Sequence, residues 1–244
     1  MKKLLIVMMG LILPLCANEA KDIIKKLEDN LRGKDVYSKI EMQVKTRRHS
    51  RTMVIESWGK GKKKNFTKIL APSRDKGITF LNLNKQMWQY VPKIERIVKI
   101  PPSMMLQSWM GTDFTNDDMV KQSSLVDDYT PTVIKKEGSI ITLKLIPHAS
   151  AAVVWGKIIS KIDTTHYTQI EDVFYDDMGK KVRVMEYSNV KKFGTHYITT
   201  RMVVLPLEKS KKGNQTIIKI LKAKFDQGIS NQYFTKSALK RYSR

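Results

Sequence analysis

Alternating apolar and polar residues recur along most of the chain, and this period of two constrains the fold more than any other feature. Ile40, Met42 and Val44, for example, alternate with charged or polar side chains. Such alternation is typical of β-strands, and the short turns between the segments favour antiparallel neighbours. The predicted strands cover residues 40–44, 51–58, 65–70, 77–83, 87–91, 96–100, 132–136, 140–146, 157–163, 168–175, 181–188, 197–205 and 216–225. The sequence therefore predicts a mainly β (α+β) protein with about 11–13 antiparallel strands.

Three segments have helical patterns instead. Residues 19–31 carry apolar side chains at helical spacing, and Gly33 follows where a C-cap glycine belongs. Thr115 and Asp118 have the spacing of a capping box, which predicts a helix start. Residues 234–242 indicate a last helical turn. Neither block of strands has enough helix to cover a face alone, so we expect one long sheet to curl around the first two helical segments as a single domain.

The first residues have the pattern of a secretory leader. Lys2 and Lys3 precede an uncharged apolar run at residues 4–15, which is too short to span a membrane. We therefore expect a cleaved signal peptide at residues 1–17 and a mature domain at residues 18–244, exported to the periplasm.

The chain has a single cysteine, Cys16. Its surroundings resemble a lipobox, in which the cysteine is lipidated, although a lipobox needs a small residue where Leu15 stands. Cleavage after Ala17 is the alternative, and it removes the cysteine with the leader. In either case the sequence predicts no disulfide in the folded part. If Cys16 is lipidated, we expect a lipid-anchored protein of the outer membrane instead of a soluble exported one.

The charge balance is strongly basic, with 45 Lys and Arg residues against 23 Asp and Glu residues. Such an excess often indicates nucleic acid binding, but the predicted export argues against that class of partner. Basic residues are also spread along the whole chain, and the densest run, residues 60–64, has the pattern of a hairpin tip. Anionic lipid headgroups, an acidic partner protein and a merely solvated basic surface all remain open as explanations.

The sequence has none of the common catalytic or metal-binding motifs. His49, His148, His166 and His196 are far apart, and neither an HExxH nor a G-x-S-x-G pattern is present. The paired acids of the chain are typical of helix starts and turns. We therefore expect no enzyme activity, no cofactor and no metal.

Residues 88–119 are the most unusual stretch. A predicted aromatic hairpin leads into Pro101 and Pro102, which end the sheet because proline cannot donate to a strand ladder. A Met- and Trp-rich segment follows and ends before Gly111. Methionine and aromatic side chains offer adaptable apolar surface. We interpret residues 104–110 as a lid over the curled sheet.

The same argument gives a set of candidate lipid-binding residues for the cavity and lid. Each of them is also compatible with a role in filling the core, and the period of two does not show which face of the hairpin points inward. The candidates are Phe80, Trp88, Tyr90, Met104, Met105, Leu106, Trp109, Met110, Phe114 and Trp155.

Several stretches in order resemble the outer-membrane lipoprotein-sorting protein family, the LolA/LolB-like carriers. The resemblance is to a branch of uncharacterised exported proteins, and it covers nearly all of the mature chain. The stretches are residues 72–81, 88–92 and 110–115, followed by residues 151–157, 175–184, 194–204 and 225–239.

This resemblance implies an unclosed antiparallel β-barrel wrapped around helices, with a hydrophobic cavity for acyl chains and with no cofactor or reaction. The predicted function is a periplasmic, monomeric carrier that binds lipid or lipoprotein acyl chains. Its expected partners are an inner-membrane donor transporter and an outer-membrane acceptor. The alternative is an accessory or sensor module of an export system, which binds a partner protein through the same fold.

Overall fold

The computed structural model of the protein describes residues 12–121, 125–151 and 153–244, without the side chains of residues 12–17 and 121. Most of the predicted leader and the Cys16 side chain therefore lie outside the described residues. Within the described part, no helix is both long enough and apolar enough to cross a membrane.

The described chain forms one 13-stranded antiparallel sheet, which confirms the predicted fold class and strand number. The strands are β1 (Asp35–Lys45), β2 (Ser50–Lys60), β3 (Lys64–Ala71), β4 (Thr79–Leu83), β5 (Gln86–Val91), β6 (Arg96–Lys99), β7 (Tyr129–Glu137), β8 (Ile140–Pro147), β9 (Lys157–Asp163), β10 (Thr168–Tyr175), β11 (Lys181–Phe193), β12 (His196–Pro206) and β13 (Gln215–Phe225). The helices are α1 (Ile12–Arg32), α2 (Asn116–Lys121), α3 (Leu125–Asp128) and α4 (Lys236–Arg241).

The sheet is an unclosed barrel, as the family resemblance implies. The first strand, β1, pairs with the last strand, β13, in the middle of the sheet. From this centre, β2 to β6 follow in order on one side, and β12 to β7 follow on the other. The two ends of the sheet are therefore β6 and β7, which are the strands on either side of the predicted lid.

Helix α1 lies inside the curled sheet. It begins at Ile12, before the predicted start at residue 19, and it ends at Arg32. Its apolar face is buried in the main core through Ala20, Ile24 and Leu27. Gly33 then adopts a φ of +56°, which confirms the C-cap, since residues other than glycine rarely adopt this conformation.

The predicted capping box is present at the start of α2. Thr115 N donates to Asp118 Oδ2 at 2.8 Å, and Asp118 N donates to Thr115 Oγ1 at 3.1 Å. This reciprocal pair fixes where the chain after the predicted lid turns into a helix. It also leaves Asp118 Oδ1 free to accept a hydrogen bond from elsewhere.

The inner face of strands β2 to β6 is covered by the segment that follows β6. Trp109 is fully buried there and packs on Phe80 with their ring centroids 5.2 Å apart. Met53, Ile69 and Met87 are buried in the same cluster. We call this part of the molecule, the inner face of β2 to β6 with residues 100–114, the filled half.

The outer face of β3 to β5 carries a second, smaller core. Trp88 and Tyr90 are buried there together with Phe66, against Phe234 and Leu239 of the C-terminal segment. The hydroxyl of Thr79 donates to the Leu239 carbonyl at 2.7 Å and helps to hold this segment. Helix α4, which confirms the predicted final turn, thus covers the back of the aromatic hairpin.

Candidate functional site

A cavity of about 330 Å3 lies between α1 and the inner face of β7 to β13. Volumes of roughly 300–1,000 Å3 are usual for sites that bind small molecules. We call the inner face of β7 to β13 the hollow half. Residues that border the cavity are Leu27, Glu28, Leu31, Arg32, Ile40, Phe114, Asp117, Asp118, Leu125, Asp128, Tyr129, Leu145, Val153, Trp155, Ile158, Ser160, Gln169, Asp172, Phe174, Arg183, Met185, Tyr187, Thr199, Met202, Ile218 and Ile220.

The lining follows from the local geometry of the strands and of α1. Side chains two residues apart on a strand point to the same face, so Ile158 and Ser160 both reach the cavity, as do Asp172 and Phe174. Leu27 and Leu31 are one turn apart on α1 and cover the opposite side. Leu31 is 38% exposed, so the cavity approaches the surface near the C-terminal end of α1.

One side of the cavity is held by a buried ion pair. The Arg183 guanidinium donates from Nη1 to Asp118 Oδ2 at 2.6 Å and from Nη2 to Asp118 Oδ1 at 2.9 Å. Burial alone would raise the pKa of Asp118, but hydrogen bonds and charge from Arg183, with the Thr115 N–H, hold that pKa below its usual value. The pair joins β11 to α2, and so ties the chain after the predicted lid to the hollow half.

Arg183 also contacts two aromatic rings that pack against each other with their centroids 5.3 Å apart. Its guanidinium carbon lies 4.4 Å from the ring centroid of Trp155 and 4.3 Å from that of Phe174. Both distances are within the range of cation–π attraction. The ion pair with Asp118 and the contacts with the two rings together hold the arginine side chain in the cavity wall.

A second polar group lies deeper in the wall. Asp172 Oδ2 accepts hydrogen bonds from Tyr187 Oη and Gln169 Nε2, both at 2.7 Å. Burial raises the pKa of Asp172, and the hydrogen bonds to its carboxylate only partly oppose that rise. The Ser160 hydroxyl lies near enough to Asp172 to lower the pKa of that carboxyl, but no hydrogen bond of normal geometry joins the two side chains.

The outer part of the cavity has further ion pairs. Glu28 of α1 contacts Lys62 Nζ at 3.1 Å and Arg32 Nη2 at 3.8 Å. Lys62 also reaches Asp127 at 3.3 Å. The predicted basic hairpin tip therefore supplies one lysine that pairs with acids next to the cavity.

The structure brings two of the predicted site residues to the cavity, Phe114 and Trp155. Phe80 and Trp109 are instead buried in the filled half, where Met105 and Met110 pack against the same core. Met104 and Leu106 are exposed, at 37% and 61%. Residues 104–110, the predicted lid, do not border the cavity, whereas five residues that follow them do, namely Phe114, Asp117, Asp118, Leu125 and Asp128.

Trp88 and Tyr90 lie on the opposite side of the sheet from the cavity. This corrects the expectation that they point inward. Their neighbour Met87 is in the main core, as expected from alternation along β5. The outer face of this hairpin is apolar because α4 covers it. The sequence of the hairpin itself does not predict that contact.

Sequence reasoning missed Arg183, Asp172 and Tyr187. On β11 the apolar Val182 and Val184 flank Arg183, so alternation predicts that the valines mark the buried face. The structure shows the reverse, with Arg183 buried and bordering the cavity. The charged Arg183 between two valines was the one sequence signal for a buried polar site. The capping-box residue Asp118 is its ion-pair partner.

Among the described residues, no group of three or more His, Cys, Asp or Glu side chains is arranged to hold a metal ion. Five Asp or Glu residues and two arginines border the cavity. These acids are Glu28, Asp117, Asp118, Asp128 and Asp172.

The fold matches solved structures over nearly the whole chain. A candidate outer membrane lipoprotein-sorting protein domain from Vibrio parahaemolyticus is 21% identical, with a TM-score of 0.80, over 92% of this chain and 100% of that one. A DUF1329 family protein from Desulfovibrio piger is 21% identical, with a TM-score of 0.82, over 92% of this chain and 99% of that one. A LolA superfamily protein from Nitrosomonas europaea is 15% identical, with a TM-score of 0.74, over 90% and 98%.

No curated protein matches the chain in sequence. A family model described as an uncharacterized protein matches residues 61–241, which is more than half of the chain. The expected resemblance is therefore confirmed at the level of fold. The chain belongs to this family of uncharacterized proteins, and it has the fold of the outer membrane lipoprotein-sorting, LolA-like proteins.

Proposed function

We propose that the protein is a non-enzymatic periplasmic carrier. It binds the acyl chains of lipids or lipoproteins in the hollow half and moves them toward the outer membrane. The observation that carries this proposal is the cavity of about 330 Å3, lined mostly by apolar side chains and enclosed by an unclosed barrel and α1.

An acyl chain needs such a cavity to cross water. Burying one methylene group is worth about 0.8 kcal/mol, so exposing a chain of roughly 16 carbons costs on the order of 12 kcal/mol. Apolar residues from separate strands, including Leu145, Ile158 and Ile218, offer the surface that offsets this cost. Transfer between membranes then needs no chemical step, only a difference in affinity between donor, carrier and acceptor.

The polar groups of the cavity favour binding over catalysis. Ser160 is a hydroxyl in the cavity wall, but no hydrogen bond of normal geometry joins it to the neighbouring carboxyl of Asp172. No histidine of the described chain borders the cavity. A nucleophile with an adjacent base, the arrangement that acyl transfer requires, therefore has no support here.

Partners of the carrier follow from the same proposal. An inner-membrane transporter donates the cargo and an outer-membrane component accepts it, and the carrier itself works as a monomer. The net charge of +22 would attract it to anionic headgroups or to an acidic donor, and the attraction should weaken with salt.

Native mass spectrometry of protein purified without detergent extraction tests the proposal. We expect co-purified lipid or lipopeptide on the wild type. Ile158→Trp fills the cavity and should remove this adduct, whereas Leu221→Trp, on the exposed face of β13, should keep it. An adduct that survives Ile158→Trp in folded protein, or a wild type that never carries or takes up lipid, would contradict the carrier function.

One observation favours the alternative, a module that binds a partner protein. Strand β6 forms one end of the sheet and is exposed along its whole length, with Ile97 and Val98 each 42% exposed. Such an end strand can pair with a strand of another protein. A stoichiometric membrane protein in a pull-down, lost on Val98→Pro and recovered without lipid, would support this function over the carrier.

A further inference from the structure

Apart from Glu28 Oε2, which is held in ion pairs with Lys62 and Arg32, the wall of the cavity contains three polar atoms without a hydrogen-bond partner among the described residues. These are Arg183 Nε, Ser160 Oγ and Asp172 Oδ1, and all three are buried. Arg183 is 4% exposed, Ser160 1% and Asp172 4%, so the rest of the protein largely shields them. A buried polar atom left unpaired costs about 1–3 kcal/mol, and three around one cavity indicate a bound group that completes their bonding.

The three side chains are neighbours on adjacent strands. Ser160 of β9 lies directly opposite Asp172 of β10. Arg183 of β11 lies opposite Phe174, which is two residues from Asp172 on the same face. Directly opposite residues have Cβ atoms about 5 Å apart and diagonal ones about 7–8 Å, so one small polar group can reach all three.

The bonding capacity of these atoms defines what they can bind. Both terminal nitrogens of Arg183 are engaged by Asp118, and Nε–H remains as a donor that needs an acceptor oxygen. The Ser160 hydroxyl can donate or accept, and the Asp172 carboxyl can accept or, when protonated, donate. An oxygen acceptor next to a hydroxyl, as in an acyl glycerol ester, matches this set.

The charges around the cavity disfavour an anionic group. The positive charge of Arg183 is matched by Asp118, and Arg32 and Lys62 are matched by Glu28. A phosphate or a free carboxylate would therefore add negative charge in a buried region without a surplus cation. An uncharged carbonyl avoids that cost.

We infer that Arg183, Ser160 and Asp172 form a polar subsite for the uncharged acyl carbonyl, an ester or amide, at the head of a chain held in the cavity. This inference rests on the proposed carrier function and names the class of cargo. Acylated glycerols and N-acyl groups fit it, whereas free fatty acids do not.

Three ligands with the same chain length test the subsite on the wild-type protein. They are 1-palmitoylglycerol, its ether analogue 1-hexadecylglycerol, which lacks the carbonyl, and palmitate. A hydrogen bond to a charged donor predicts that the ester binds about 10- to 100-fold more tightly than the ether. A 13C-labelled ester carbonyl should also shift its infrared stretch to lower frequency on binding.

Arg183→Lys sharpens the test because it keeps a cation opposite Asp118 and removes Nε–H. The preference for ester over ether should fall below about threefold, while affinity for the ether changes little. Arg201→Lys is the matched control, since Arg201 lies opposite Lys219 of β13, between the cavity residues Ile218 and Ile220, and so points to the other face. Ser160→Ala provides a second variant and should give a smaller loss for the ester.

The outcomes separate this inference from the carrier function. Equal, measurable binding of ester and ether overturns the subsite and leaves the carrier in place. Tightest binding of palmitate also overturns it, in favour of an anion site. If none of the three ligands binds to folded protein, both the subsite and the carrier function fail.

Discussion

The two halves of the sheet have similar strand patterns but differ in what covers their inner faces. In the filled half, Trp109 and its neighbours are buried against β2 to β6. In the hollow half, a cavity with a polar cluster in its wall lies between α1 and the inner face of β7 to β13. The comparison shows that the segment between β6 and β7 contributes to both halves, since Trp109 packs on β2 to β6 whereas Asp118 borders the cavity.

Trp109→Ala should give the largest effect and should sharpen this comparison. The side chain is fully buried, so its removal should lower the free energy of unfolding by about 3–5 kcal/mol in urea denaturation. Trp155→Ala, in the hollow half, is the matched variant. Trp155 is partly exposed beside the cavity, so we expect a loss below about 2 kcal/mol together with weaker acyl binding. Equal losses of stability would break the distinction between the halves.

Trp88→Ala tests the corrected position of the aromatic hairpin. Its ring is 8% exposed and lies in the outer cluster, so truncation should cost about 3 kcal/mol and loosen the C-terminal segment. Limited proteolysis should then cut near α4, while lipid affinity of the folded protein stays at the wild-type level. Loss of lipid affinity without loosening of the C-terminus would contradict this position and would indicate that Trp88 lines the cavity.

Asp172→Asn should have a smaller, pH-dependent effect. Burial raises the pKa of Asp172, so the native state keeps a proton that the unfolded chain has lost. Wild-type stability therefore falls as pH rises from the unfolded value of about 3.9 through the folded pKa. The amide variant lacks this slope and should therefore be more stable than the wild type at neutral pH, with no advantage below about pH 4.

Urea denaturation of both proteins across this pH range provides the measurement. Asp177→Asn, in an exposed turn of the β10–β11 hairpin, is the control and should follow the wild type. If the free energy of unfolding depends on pH in the same way for the wild type and Asp172→Asn, the buried carboxyl of the hollow half has no pH-dependent influence on stability.

Most of the fold could be predicted because its signals are local. Alternation along each strand, the capping box at Thr115 and Asp118, and the C-cap at Gly33 each report on a few neighbouring residues, and all three are confirmed. The family resemblance supplied the unclosed barrel. Most strands pair with their sequence neighbours, but the pairing of β1 with β13 and the gap between β6 and β7 are long-range features that no local pattern predicts.

The site was harder to predict because it depends on distant contacts. Alternation along β5 identifies two faces, but only the packing of α4 shows that Trp88 points outward. Likewise, Arg183 is inward because Asp118, far away in sequence, accepts its two hydrogen bonds. Phe114 and Trp155 were found because they are large and apolar, whereas the polar residues of the cavity have no such signal.

Photo-crosslinking with an acyl glycerol ester that carries a diazirine in the middle of its chain tests the central claim most directly. After irradiation and peptide mass spectrometry, we expect labels on the hollow half, at residues such as Leu145, Ile158 and Ile218. Excess unlabelled ester should compete for this labelling. Labels confined to the outer hairpin around Trp88 and Tyr90, or to the filled half, would contradict the account.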